Sequence, residues 1–150
     1  MGGEYNADEL TEAALSQWLT NEPPFIVCTG GEPMLQLDNS LISALRARGS
    51  VIAVETNGTI PVTTLVDWIA VSPKIGTELL QQSGNEIKLV FPQRGLDPSQ
   101  YESYDFDHFY LQPIDDKKTY PNSVAQAIDY CLEYPKWKLS LQTQKFTGIK

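Results

Sequence analysis

Six short polar clusters in this sequence each follow an apolar run: Thr29-Gly30-Gly31-Glu32, Glu55-Thr56-Asn57-Gly58, Ser72-Pro73-Lys74, Pro92-Gln93, Gln112-Pro113-Ile114-Asp115 and Gln142-Thr143-Gln144-Lys145. Carboxylates, amides, hydroxyls and lysines of this kind can grip a small polar ligand through hydrogen bonds and charge. In parallel α/β sheets the carboxyl ends of the strands converge on one face, where ligands bind. If each run is such a strand, the clusters build one site; if not, they simply mark turns. The stretch CTGGEP, 28–33, is the sharpest of them. Glycines between a strand and a helix let a phosphate reach backbone N–H groups. Here no Lys-Ser/Thr follows, and Glu32 would repel an anion. The ligand at this loop should instead favour a carboxylate.

Other residues narrow the chemistry. Glu86, Lys88 and Val90 share one face by period two, which suggests a polar barrel interior or an ion pair, against the alternative of an exposed edge strand. His108 is the single histidine, placed at a strand start, so a histidine triad and a three-histidine zinc site are both excluded; a structural or solvated role is expected. Cys28 and Cys131 are far apart in apolar segments, without CxxC spacing, and read as buried thiols.

The elements that must position these groups follow from periodicity. Asn6 with Glu9 three residues on forms a capping box, and Leu10, Ala13, Ala14 and Trp18 recur at helical spacing, predicting a helix to about Leu19. The run FIVCT at 25–29 is uniformly apolar, as in a parallel strand covered on both faces. Asp38 can cap a helix over 39–48 with Leu41, Ile42 and Leu45 on its apolar face and Gly49 at its end. VIAVET, WIAVS, EIKLVF, FYLQ and WKLSLQ continue the strand pattern. Between the last two, SVAQAIDYCLEY predicts a helix with Ser123 as cap and Val124, Ile128, Cys131 and Leu132 facing inward. Crossovers on either side of WIAVS hold only about a dozen residues, near the minimum for parallel strands, so turns or loops should replace helices there. The polar stretch at 91–107 reads as a surface excursion.

A chain of 150 residues suits one domain, 1–150, able to bury a core without a staple. With 11 basic and 19 acidic residues, net charge -8, attraction to nucleic acid or an anionic membrane surface is disfavoured, leaving a small-molecule ligand. No apolar run is long enough to span a bilayer and the start lacks signal-peptide features, which reads as cytoplasmic.

The segments FIVCTGGEPMLQLD, VAVETNGT, WIAVSPK, NEIKLV, YLQPID and AIDYCLEYPKWKLSLQTQK, in this order, closely resemble the 7-carboxy-7-deazaguanine synthase family of radical S-adenosylmethionine enzymes, from about Asn6 to Lys150. The resemblance implies a lyase of queuosine and deazapurine biosynthesis that contracts 6-carboxy-5,6,7,8-tetrahydropterin to 7-carboxy-7-deazaguanine and expels ammonia. It implies S-adenosyl-L-methionine, held by Gly30, Gly31, Glu32, Ser72, Pro73, Lys74, Gln112, Pro113, Ile114 and Asp115. The methionine ammonium would meet the Gly-Gly-Glu-Pro segment. Thr29 and the C-terminal carboxylate of Lys150 would touch the pterin, with Glu55 and Asn57 as further candidates. The fold implied is a partial, open (β/α) barrel of about six mainly parallel strands with few helices.

The resemblance also exposes departures. The family holds a 4Fe–4S cluster through three cysteines, beside a Mg2+ ligand, on a segment and first strand that are expected before residue 1; this chain has two cysteines, neither in such a loop. Gln144 stands where family members commonly have histidine. The leading expectation is therefore an N-terminally incomplete synthase, inactive without its cluster segment, served in full-length form by an electron donor such as flavodoxin and able to form a homodimer. A second reading is a non-catalytic module that binds S-adenosylmethionine and pterin; a third, a phosphate-binding barrel, is opposed by the lack of a basic residue near Gly30 and Gly31.

Overall fold

A computed structural model of the chain describes residues 3–148. Six strands, β1 (Phe25–Cys28), β2 (Val51–Thr56), β3 (Trp68–Val71), β4 (Ser83–Phe91), β5 (Asp105–Pro113) and β6 (Trp137–Leu139), pair in that order, all parallel, in one open sheet. Strands in sequential order joined by right-handed crossovers place every connection on the same face. The opposite face is left without helices. Three helices, α1 (Ala7–Leu15), α2 (Asn39–Ala47) and α3 (Ser123–Glu133), are followed by one short turn of helix, α4 (Gln144–Thr147). No helix of the described residues is long and apolar enough to cross a membrane.

Period two sorts the sheet. Ile52 and Val54 face the crossovers and pack with Ile42 and Leu45 of α2; Val71, Ile87, Leu89, Phe109, Leu111 and Trp137 form a second core under α3 through Ala127. Burying each such aliphatic side chain stabilises the fold by about 1.5–3 kcal/mol. The crossovers on both sides of β3 carry no helix, as their length predicts, and the one from β4 to β5 has only a single 3-10 turn, Pro98–Tyr101. That stretch is less of an excursion than expected: Pro98 is buried, Leu96, Tyr101 and Tyr104 pack on the core, and 105–107 belongs to β5. His108 consequently lies well inside β5.

Helix boundaries follow their caps more closely than their faces follow apolar count. The Asn6–Glu9 capping box forms in full and Asp38 caps α2. However, α1 stops at Leu15: its end tightens into i→i−3 bonds, Gln17 N to Ala14 O and Trp18 N to Leu15 O, while the Trp18 indole donates to Glu22 O at 2.8 Å. Its buried residue is Thr11, with Leu10, Ala13 and Trp18 exposed. In α3 the N-cap is Asn122, and Ser123 Oγ instead donates to Ile114 O at 2.8 Å. Ser123 and Ala127 are the buried pair, Cys131 is half-buried, and Val124, Ile128 and Leu132 are exposed, Leu132 by 76 %. Tyr130 and Cys131 on the same face pack against the core. Strand β1 stands at the sheet edge and is covered on one face only, so Phe25 and Val27 on the helix-free face are 51 % and 46 % exposed.

Asp67 anchors the loop before β3. Its carboxylate accepts from Ile52 N at 2.9 Å and from Arg46 Nη1 at 2.6 Å, and these bonds hold its pKa below the usual aspartate value, the backbone donor contributing most. A group whose folded pKa is depressed stabilises above the unfolded pKa and loses that stabilisation as pH falls through the folded value. The parent should exceed Asp67→Asn in stability by about 1 kcal/mol at neutral pH, with the difference starting to shrink as pH falls below the unfolded aspartate value of about 3.9 and lost only below the lower folded value. Urea melts of both proteins at several pH values would check this; a gap that persists in acid would refute it.

Candidate functional site

The carboxyl ends of the strands form a rim that gathers most of the polar clusters. Thr29 follows β1, and its Oγ1 donates to Glu55 Oε2 at 3.3 Å. Gly30 has φ +136 and Gly31 adjoins it; a Cβ at either would meet nothing within 4 Å, so the backbone there is open to a ligand. Glu32 then caps the 3-10 turn Pro33–Leu35, accepting from Met34 N at 3.1 Å.

The same carboxylate reaches across to the end of β2. Thr56 Oγ1 donates to Glu32 Oε1 at 2.7 Å and Asn57 N donates to Glu32 Oε2 at 2.7 Å. Thr56 Oγ1 in turn accepts from Gly58 N at 3.1 Å. Three protein donors thus engage a carboxylate that the sequence offers to a ligand's ammonium. Its role visible here is to lock the β1 and β2 loops together. Asn57 is locked too, its side-chain oxygen accepting from Thr59 N at 2.8 Å.

Ser72, Pro73 and Lys74 follow β3, tied down by Ser72 N donating to Thr56 O at 2.8 Å and by Thr77 Oγ1 donating to Lys74 O at 2.8 Å. On β5, Gln112 lies opposite Val90, Pro113 ends the strand, and Ile114 N donates to Phe91 O at 2.8 Å. Asp115 pairs with Lys145, whose hydrogen bond and then charge hold the carboxyl below the usual aspartate range. Pro113, Ile114 and Asp115 line a cavity of about 650 Å³ with Ser123, Gln142 and Lys145. A second cavity, about 460 Å³, opens beside Cys28 and Thr29 at the other end of the rim. The Thr29–Glu32, Glu55–Asn57 and Ser72–Lys74 groups are therefore adjacent, and the Gln112–Asp115 group stands beyond β4. Lys150 lies outside the described residues.

The helix-free face below the rim is polar near the top. Glu55 sits on it, and Lys88 Nζ of β4 approaches Glu55 Oε1 at 3.7 Å. The charge partner of Lys88 is thus Glu55 of β2, itself exposed, and not Glu86 of its own strand. His108 joins Trp68 and Tyr110 in a ladder of rings with 6.3 Å between neighbouring centroids. Sequence reasoning placed Thr56 in a polar cluster and Lys88 on a polar strand face but paired neither with Glu32 or Glu55. The signal for Thr56 was available: it is the one polar residue in the inward-facing series Ile52, Val54, Thr56.

The donor set decides which groups the chain can hold by itself. Cys28 packs in the core under α2 and Cys131 in the core under α3, and burial pushes both thiols up, away from the thiolate form a cluster needs. The described residues contain no group of three histidine, cysteine or carboxylate side chains placed to bind a metal ion. They do not fit a 4Fe–4S cluster. The Gly30–Gly31 backbone is open on the side where a Cβ would stand.

No family model matches the chain. Over 152 residues it is 49 % identical to a 7-carboxy-7-deazaguanine synthase of Bradyrhizobium diazoefficiens, covering 100 % of this chain and 72 % of that protein. The corresponding protein of Caulobacter vibrioides is 50 % identical over 151 residues, 99 % of this chain and 71 % of its own length. The crystal structure of QueE from Escherichia coli superposes with a TM-score of 0.71 at 29 % identity, over 92 % of this chain and 64 % of that one. With half of its residues shared across essentially its whole length, and with the parallel sheet of that structure, the chain belongs to the 7-carboxy-7-deazaguanine synthase family.

Proposed function

We propose that this chain is the S-adenosylmethionine- and pterin-binding part of a 7-carboxy-7-deazaguanine synthase, a carbon–nitrogen lyase that contracts 6-carboxy-5,6,7,8-tetrahydropterin with loss of ammonia. The observation that carries the reading is the coupling of Glu32 to Thr56 and Asn57, which sets the open Gly30–Gly31 backbone beside Glu55 at one rim. Backbone carbonyls of Gly30 and Gly31 would take the methionine ammonium, Ser72 to Lys74 the middle of the ligand, and Gln112 to Asp115 its nucleoside end. From β1 to β5 the rim crosses four strand spacings of about 4.8 Å, roughly 19 Å before curling, which suits a nucleoside joined to an amino acid and not a small ion. When bound, S-adenosylmethionine supplies the one-electron chemistry that starts the ring contraction. Thr29 and Glu55 orient the pterin at the rim.

The cysteine content favours a division of labour. Two cysteines in separate cores do not supply the three thiolates of a cluster, so these 150 residues do not by themselves hold a 4Fe–4S group. The same content supports a second reading, a binding module without chemistry. Equilibrium dialysis of the iron-free chain should show saturable S-adenosylmethionine binding, and absence of saturation up to millimolar ligand would sink both readings. Reconstitution of the chain with iron and sulfide should yield no S-adenosylmethionine cleavage above a protein-free control; cleavage above it would show that the chain provides its own cluster site.

A further inference from the structure

Resting on that reading and deepening it, we infer that Gln81 is a positioning residue of the S-adenosylmethionine site: through Gly58 it holds the loop after β2 where that loop can bind Glu32. Gln81 lies in the crossover from β3 to β4, outside every polar cluster of the rim. It is only 9 % exposed, and burying an amide costs free energy unless its groups are bonded. Both are. Oε1 accepts from Val62 N at 2.8 Å, inside the crossover from β2 to β3, and Nε2 donates to Ser83 O at 2.6 Å, at the start of β4. One side chain thus fastens the first crossover to the end of the second, and neither has a helix to pin it.

The backbone of the same residue reaches the rim. Gln81 N donates to Gly58 O at 3.0 Å, and Leu80 N donates to the same oxygen at 2.9 Å. On its other side Gly58 N donates to Thr56 Oγ1 at 3.1 Å, and Thr56 Oγ1 donates to Glu32 Oε1 at 2.7 Å. Asn57 N, one peptide earlier, donates to Glu32 Oε2 at 2.7 Å. A Cβ at Gly58 would stand 3.7 Å from Gln81 Cβ, so the loop rests directly against this residue. Among the buried polar residues described, Thr56 and Gln81 are the two whose bonds meet at Gly58. Without a helix behind it, the loop takes its orientation from these bonds. Releasing Val62 and Ser83 frees Gly58 to move, and the Asn57 N–H turns away from Glu32 with it.

The test compares the iron-free parent chain with Gln81→Met, which removes both side-chain bonds at similar length, and Gln81→Glu, which keeps the acceptor for Val62 N but sets an oxygen against Ser83 O. S-adenosylmethionine binding is measured by equilibrium dialysis, with the folded fraction of each protein fixed from its urea melt. Gln81→Met should bind about tenfold more weakly and Gln81→Glu less severely affected, so the second variant carries the test if the first does not fold. Asp67→Asn, which weakens the far end of the same crossover, should keep the parent affinity within about twofold. Amide hydrogen exchange of the ligand-free proteins adds a readout that ligand binding does not enter: the Asn57 and Gly58 amides of the Gln81 variants should exchange at least about fivefold faster relative to the amides of β5. Unchanged exchange at Asn57 and Gly58, an unchanged affinity in folded Gln81→Met, or an equal loss in Asp67→Asn would overturn the inference while leaving the functional reading in place. A parent chain that binds no S-adenosylmethionine would overturn both.

Discussion

Gly58→Ala should destabilise the domain by about 3 kcal/mol, the sum of backbone strain and overpacking. Gly58 has φ +78, and a Cβ built there lies 2.4 Å from Leu79 Cδ1 and 2.8 Å from Val71 Cγ1. Leu79 is partly buried and can shift, but Val71 is fully buried in the core beneath β3 and has nowhere to go. The backbone is pinned as well, since Gly58 O accepts from both Leu80 N and Gln81 N and Gly58 N donates to Thr56 Oγ1. Gly76 serves as the control: φ is +83 but a Cβ meets nothing within 4 Å, so Gly76→Ala should carry only the conformational part, about 1 kcal/mol. Urea denaturation would compare the two. Equal shifts in midpoint would show that packing against Val71 is not the source of the difference. The site should feel the larger change, because Gly58 follows the Asn57 peptide that binds Glu32.

What could be read without coordinates was whatever is local. The capping box at Asn6, the Asp38 cap and the apolar runs of β2 and β3 each depend on residues a few positions apart, and each forms as the sequence implies. The gathering of polar clusters at one rim was also legible, because parallel strands share a direction. What was illegible depended on neighbours distant in sequence. Val124, Ile128 and Leu132 make the more apolar stripe of α3, yet the sheet takes the face with Ser123, Ala127, Tyr130 and Cys131, where Ser123 is tied to Ile114 O and Tyr130 meets Phe91, contacts that apolar count does not record. The apolar character of β1 likewise does not reveal that it stands at the edge. Glu32 is the instructive case for the site: its residue type suggested a ligand contact, whereas its partners Thr56 and Asn57 lie 24 and 25 residues away and occupy the carboxylate themselves.

That occupancy leads to the second large effect. Glu32→Ala should lower stability by about 3 kcal/mol and weaken S-adenosylmethionine binding by tenfold or more, although no direct contact with the ligand is required of its side chain. Removing the carboxylate leaves the buried Thr56 hydroxyl and the Asn57 N–H without their acceptors and frees the turn at Met34. Glu32→Gln isolates the geometry from the packing. A glutamine keeps the shape and one acceptor oxygen, but its NH2 takes the place of either Oε2, facing the Asn57 N–H, or Oε1, where it can donate to the Thr56 hydroxyl but faces the Met34 N–H, so one backbone donor is left against a donor. Thr56→Val removes the hydroxyl half of the side-chain link. If the latch acts as a unit, the double variant Glu32→Gln/Thr56→Val should be no worse than the more damaging single, a coupling of about 1–2 kcal/mol in both stability and ligand affinity. Additive losses would mean that Glu32 reaches the ligand independently of β2, and the carboxylate would then be a direct partner of the methionine ammonium after all. Non-additive losses in affinity make the Gly30–Gly31 backbone the contact and Glu32 the residue that positions it.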